Sequence, residues 1–252
     1  MWMPDGLALA LGVPGLVWLA VAYAVAGVVR GFTGFGTALI VMPLAGALLP
    51  MADAIVVLMV TGIGSWPVIV PRAWKLAQRR EVGVMALAAV LCAPVGIALL
   101  SYLDVLTLRW TVSLAASLTL LALVTGWRYR GRVSRGGLLG VGSASGVLGG
   151  LTGLTGPPVI LFYLAGQGGA AQVRANVILF LSCLDIGIVV NFLARGMVGM
   201  DAVWLGLVLV LPYLATVTLG QWLFRPSLEQ GYRWAAYGVI FLAILSGLPI
   251  YG

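Results

Sequence analysis

The stretch Gly149-Gly150-Leu151-Thr152-Gly153-Leu154-Thr155-Gly156-Pro157-Pro158 decides how this chain is read, because its core has a counterpart in the first half. Gly31-Phe32-Thr33-Gly34-Phe35 matches Gly150-Leu151-Thr152-Gly153-Leu154, and upstream Gly27 matches Gly146 at the same offset. Near the end of each half, Gly96 matches Gly220 and Arg109-Trp110 matches Arg233-Trp234, both at one slightly larger offset, as a short insertion produces. Several matches in one order indicate an internal repeat at long period.

Around these motifs the chain is overwhelmingly apolar. Hydrophobic residues make up 62% of the 252 residues and charged residues only 8%. A soluble domain has roughly half apolar and a quarter charged residues. So few charges cannot cover a water-facing surface, so the bilayer is the expected solvent. At about 20 apolar residues per crossing, about eight to ten membrane segments fit. In the first half they are Leu7–Val29, Thr37–Leu49, Ala54–Val70, Val82–Leu103 and Leu108–Gly126. In the second they are Gly137–Gly149, Gly156–Ala165, Val173–Ala194, Ala202–Leu223 and Trp234–Ile250. No stretch is left for a separate soluble domain. The expectation is one transmembrane domain over 1–252, with repeats at 1–127 and 136–252. Met1 to Leu19 lacks a basic n-region and a small-residue cleavage site, so it does not read as a signal peptide.

The charge pattern gives an orientation. Arg72, Lys75, Arg79 and Arg80 fall in the stretch 71–81, and Arg128, Arg130, Arg132 and Arg135 in 128–135. The positive-inside rule puts both stretches in the cytoplasm as loops, with both termini outside. The net charge of +7 therefore reads as loop asymmetry rather than as a nucleic-acid surface. Five segments per half is an odd number, so the halves insert with opposite orientation. Full crossings and re-entrant dips at the first two segments of each half preserve that inversion equally. A single broken crossing would make the halves parallel and put Arg174, Arg225 and Arg233 outside, against the charge rule. The fold class expected is thus an all-α integral membrane protein of two inverted repeats, each of about five membrane segments, with broken or re-entrant helices at the Gly-rich motifs. Such repeats are the architecture of many secondary transporters, whose ligands sit near the midplane at half-helix N-termini. Unpaired N–H groups at a helix start carry partial positive charge and attract anions.

Four clusters are candidates for that site. In the first, Arg30 to Thr37, glycines including Gly34 allow close approach of backbone amides, with Phe35 between them and the hydroxyls of Thr33 and Thr37 as donors. Close helix packing explains small residues as well; Arg30 favours the anion. In the second, Thr152, Gly153, Thr155 and Gly156 precede Pro157, which suits a first helical turn. A half-helix from Pro157 to about Ala165 is too short to span; a structural kink is the alternative. In the third, Gln172, Arg174 and Asn176 open a long apolar segment. Arg174 either snorkels to the interface or closes over the anion with bidentate donors. In the fourth, Asp185 lies well inside an apolar segment with Ser182 and Asn191 nearby. An intramembrane acid carries a coupling proton or neutralises a buried arginine.

Catalytic and metal chemistry lack their residues. Histidine is absent, Cys92 and Cys183 have no CxxC partner, and there is neither a GxSxG elbow nor a P-loop lysine. No enzyme activity, cofactor or metal is expected.

At these motifs the chain resembles the TauE/SafE family of sulfite exporter-like permeases. The resemblance runs over nearly the whole chain and is carried by Val28 to Gly36 with Pro43, by Gly146 to Pro158, and by Arg174-Ala175-Asn176. It implies a bacterial inner-membrane secondary transporter, an exporter of sulfite, a sulfonate or a related small organic anion. Alternating access between the two Gly-rich breaks is the leading reading. An anion channel and a membrane assembly factor without transport are the alternatives. The partners expected are the anion and the lipid bilayer. Coupling to protons or sodium and a homodimeric assembly are compatible with this reading.

Overall fold

The computed structural model describes residues 3–126, 134–165, 169–223 and 229–250. Arg128, Arg130, Arg132 and Arg225 lie outside the described residues, as does most of the stretch 128–135. Every regular element among the described residues is an α-helix. They are α1 (Met3–Leu11), α2 (Leu16–Thr33), α3 (Thr37–Leu48), α4 (Met51–Gly64), α5 (Trp66–Leu76), α6 (Arg79–Tyr102), α7 (Val105–Val124), α8 (Arg135–Thr152), α9 (Pro157–Ala165), α10 (Ala170–Ala194), α11 (Met200–Leu223) and α12 (Glu229–Gly247).

Among the described residues five helices, α2, α6, α7, α10 and α11, are long and apolar enough to cross a bilayer. The pair α4 and α5 makes a sixth if it is one span broken by a 68° bend. The eight to ten segments expected from composition include short ones, such as α3 and α9, that do not reach that length. The stretch Leu7–Val29 is two helices rather than one. Gly12, Pro14 and a left-handed Gly15 (φ 81°) interrupt it. The stretch Ala54–Val70 is likewise divided at Ser65, where Pro67 in the first turn of α5 pre-sets a new helix start. The basic stretch 71–81 is also mostly helix, and only Ala77 and Gln78 separate α5 from α6.

The outer surface is apolar. Leu91 on α6, Leu121 on α7, Leu193 on α10 and Leu211 on α11 all stand exposed. In water each would forfeit its transfer free energy; in lipid they meet chains like themselves.

Helix pairing follows a swap between the halves. α2 packs on α11 and α8 on α6; α4 packs on α11 and α10 on α6; α3 packs on α12 and α9 on α7. Glycines let these backbones approach. A Cβ on Gly142, Gly146 or Gly150 would stand 2.2, 2.1 or 2.4 Å from the carbonyl oxygens of Met85, Ala89 and Ala93 on α6. On the other seam, a Cβ on Gly27 or Gly31 would stand 2.7 or 2.6 Å from the carbonyls of Tyr213 and Val217 on α11. In both seams residue numbers rise together, so α8 runs parallel to α6 and α2 parallel to α11. Gly64 meets Val210 and Gly206 meets Val60, so α4 is parallel to α11 as well. Along α10 the order reverses: Asp185 faces Gly62 while Asn176 bonds Gln78.

Candidate functional site

The two Gly-rich motifs are built alike. α2 continues through Gly31 and Phe32 to Thr33, and α8 through Gly150 and Leu151 to Thr152. The chain then turns at a left-handed glycine, Gly34 (φ 83°) or Gly153 (φ 75°). Their N–H groups donate to the carbonyls of Arg30 and Gly149, both at 2.8 Å. This is the left-handed cap that glycine adopts without a Cβ penalty. The hydroxyl of Thr33 donates to the Val29 carbonyl (2.8 Å) and that of Thr152 to the Leu148 carbonyl (2.7 Å). Each hydroxyl also accepts an N–H two residues on, from Phe35 or Leu154, at 3.2 Å. These threonines tie off helix ends, and their protons are committed to backbone. The glycines therefore divide: Gly31 and Gly150 serve helix packing, and Gly34 and Gly153 make the break.

After each break a short apolar helix begins. α3 is capped by Gly36, also left-handed (φ 103°), and starts at Thr37. α9 starts at Pro157, whose ring fits the first turn. Both N-termini open onto one shared cavity, part of it open to the outside. Arg30, Phe35, Gly36 and Thr37 line it from the first motif, and Thr155, Gly156 and Pro157 from the second. Asp185 joins from α10, Gly62 from α4 and Tyr213 from α11.

Arg30 is 6% exposed, and its Nε and Nη2 find no hydrogen-bond partner among the described residues. A buried guanidinium with idle donors is costly unless an anion or water completes it. Its position in the repeat is taken by Gly149 in the second half, so this charge comes from one half only. The amides are unequal as well. α3 offers the free N–H groups of a first turn, whereas Pro157 and Pro158 remove two of those of α9. The cavity's positive potential is therefore concentrated at Arg30 and the start of α3.

Tyr213 was not singled out from sequence, yet it closes the cavity beside Thr37. The two hydroxyl groups are 2.8 Å apart, and Tyr213 packs edge-on against Tyr23 with ring centroids 5.9 Å apart. A tyrosine deep in an apolar stretch needs a partner for its hydroxyl, and that need was the available signal.

The remaining residues of the candidate clusters do not line the cavity. Arg174 donates from Nη2 to the Gly31 carbonyl, and its stem packs on Gly34, where a Cβ would stand 2.5 Å from Arg174 Cγ. It ties α10 to the first break. Asn176 accepts the Gln78 N–H (2.7 Å) and donates to Gln78 Oε1 (3.0 Å), clamping α10 to the turn between α5 and α6. Ser182 donates to the Ile178 carbonyl and Asn191 to the Gly187 carbonyl, both within α10. Gln172 sits half-buried in the first turn of α10. Among the described residues no group of three or more His, Cys, Asp or Glu side chains is placed to hold a metal.

A bundle with an apolar exterior, at least five helices able to cross, and one buried cation in an internal cavity defines a multi-pass membrane protein. The family model described as sulfite exporter TauE/SafE matches residues 19–247, and the chain belongs to that family. No curated protein and no solved structure matches the chain.

Proposed function

We propose that the chain is a secondary transporter that binds a small sulfur-containing anion, sulfite or a sulfonate, in the cavity between the two breaks and releases it on the other side by alternating access. The observation that carries this reading is Arg30: buried, with two idle donors, beside the N-terminus of α3. A planar guanidinium presents paired N–H groups at the spacing of two oxyanion oxygens. First-turn amides add partial positive charge that costs no reorganisation.

The swapped helix pairing and the running directions support two oppositely inserted halves. α2, α4 and α11 share one direction, α6 and α8 share a direction too, and α10 runs against α4 and α5. In this arrangement α2–α3 enters from one face and returns, and α8–α9 does so from the other. The cavity then lies where the two pairs meet. The basic ends of α5, α6 and α8 face the cytoplasm of a bacterial inner membrane, and both termini face outside.

The test is flux in proteoliposomes together with ligand-induced thermal shift. Sulfite and methanesulfonate exchange across vesicles holding the wild-type chain and raise its melting temperature by mass action. Arg30→Gln weakens binding by about 10- to 100-fold, as loss of a charge-assisted hydrogen bond does. Wild-type affinity in that variant removes Arg30 from the site, and no flux of either anion under any gradient overturns transport.

A further inference from the structure

The cavity holds one guanidinium and one carboxyl group. Asp185 is 6% exposed, lines the same cavity as Arg30, and turns Oδ2 towards α4, where a Cβ on Gly62 would stand 3.3 Å from it. The charged groups of the helices packed on α10 stand elsewhere. Asp53 is in the first turn of α4, Arg72 and Lys75 are near the end of α5, and Arg79, Arg80 and Glu81 begin α6. Arg135 begins α8, α9 carries no charge, and Arg174 and Arg195 mark the two ends of α10. None of these lines the cavity, where the other ionisable group is the Tyr213 phenol, already bonded to Thr37. Cys183 is two residues from Asp185 on the same helix and outside the cavity lining.

The charge count then dictates how an anion enters. Arg30 with ionised Asp185 is neutral. A monoanion added to that pair leaves one uncompensated negative charge in a low-dielectric interior, which is strongly unfavourable. If Asp185 takes up one proton as the anion arrives, the loaded cavity is neutral again.

We infer that Asp185 is the coupling group: each monoanion bound at Arg30 is accompanied by one proton on the Asp185 carboxylate, and the two cross together as an electroneutral pair. This rests on the anion site proposed above. No bond is made or broken except O–H at Asp185, and the proton comes from the water on the side of entry. Empty and loaded carriers are both neutral, so the return step needs no net charge movement.

The experiment uses the full chain in proteoliposomes and labelled methanesulfonate, which stays a monoanion across the working pH range. In the wild type, an imposed pH gradient drives accumulation of about tenfold per pH unit, the ratio fixed by one-to-one coupling. Accumulation is unaffected by clamping the membrane potential to zero or replacing sodium with choline. Binding of methanesulfonate in weak buffer takes up protons in equal number. Asp185→Asn no longer accumulates methanesulfonate under a pH gradient, and its binding loses pH dependence. Accumulation that persists in Asp185→Asn, or that follows sodium instead of pH, overturns the coupling and leaves anion transport standing. A wild type that binds the anion without proton uptake overturns the coupling whether or not the variant folds. A wild type that neither binds nor exchanges methanesulfonate or sulfite overturns both readings.

Discussion

Gly31 and Gly34 stand in one short motif and answer to different physical demands. Gly31 has ordinary helical geometry and is small because the Val217 carbonyl is against it. Gly34 is a left-handed residue, with Arg174 packed over it. Gly34→Ala therefore meets two penalties. The left-handed conformation costs about 1–2 kcal/mol for a residue with a Cβ, and Arg174 must move. The expected outcome is a lower melting temperature in detergent together with weaker anion binding, because the start of α3 shifts. An unchanged melting temperature shows that the left-handed turn is not needed. Tyr213→Phe removes the hydroxyl that pairs with buried Thr37, at a cost of about 1 kcal/mol. Denaturation of the two proteins side by side reads that cost. The sequence marks both motifs as glycine-rich, but φ is not written in a residue name. Which glycine packs and which one turns follows only from what lies against each. Arg30, Thr37, Thr155 and Asp185 were legible as polar groups in apolar surroundings. Tyr213 carries the same signal, but its partner Thr37 sits far away in the chain and nothing local names it.

Between elements, the seam of α6 and α8 is made of backbone against backbone. Gly146→Ala forces a methyl group to within 2.1 Å of the Ala89 carbonyl, so the helices must separate. Overpacking of this kind costs about 1–3 kcal/mol. Gly140 lies in the same helix with open space at its Cβ position, and Gly140→Ala should be neutral or stabilising through helix propensity. Thermal unfolding of the two variants compares seam with surface directly; equal shifts would sink the close-packing argument. Asp104 caps α7, accepting the Thr107 N–H (2.9 Å) and hydroxyl (2.6 Å). Those bonds, the hydroxyl's first, hold its carboxyl below the usual range. The cap is complete above the ordinary carboxylate pKa and is lost as pH falls through the lowered one. Hydrogen exchange at the start of α7 should therefore be faster in Asp104→Ala than in the wild type at neutral pH, and the two should converge in acid. Helix breaks were legible where glycine and proline cluster, as at Gly156-Pro157. The break at Gly12 to Gly15 carries the same glycine and proline signal, but there and at Ser65 the apolar residues on both sides make hydropathy read one segment.

At the scale of the molecule, the open matter is how two halves of similar sequence share one cavity. Composition alone identified the bilayer as solvent, and matched glycines pointed to a repeat. The swap of partners between halves was not, because it depends on which helix faces which. The pairing of α2 with α11 and α8 with α6 interlocks the halves, so neither carries the cavity alone. If the halves are inverted, the end of α5 and the start of α8 face one side, and the turns at Tyr102 and Met200 the other. Single cysteines at Lys75, Gly136, Tyr102 and Met200, placed in a chain whose Cys92 and Cys183 are serine, read this with a membrane-impermeant maleimide. The first two should label only from the cytoplasmic face and the last two only from outside. Parallel halves would instead put Met200 on the same face as Lys75. That single site decides the topology, since the other three keep their sides in either arrangement. Anion binding adds a second reading at Ala38→Cys, in the first turn of α3 and lining the cavity. Under alternating access its labelling changes with saturating methanesulfonate while labelling at the four outer sites does not.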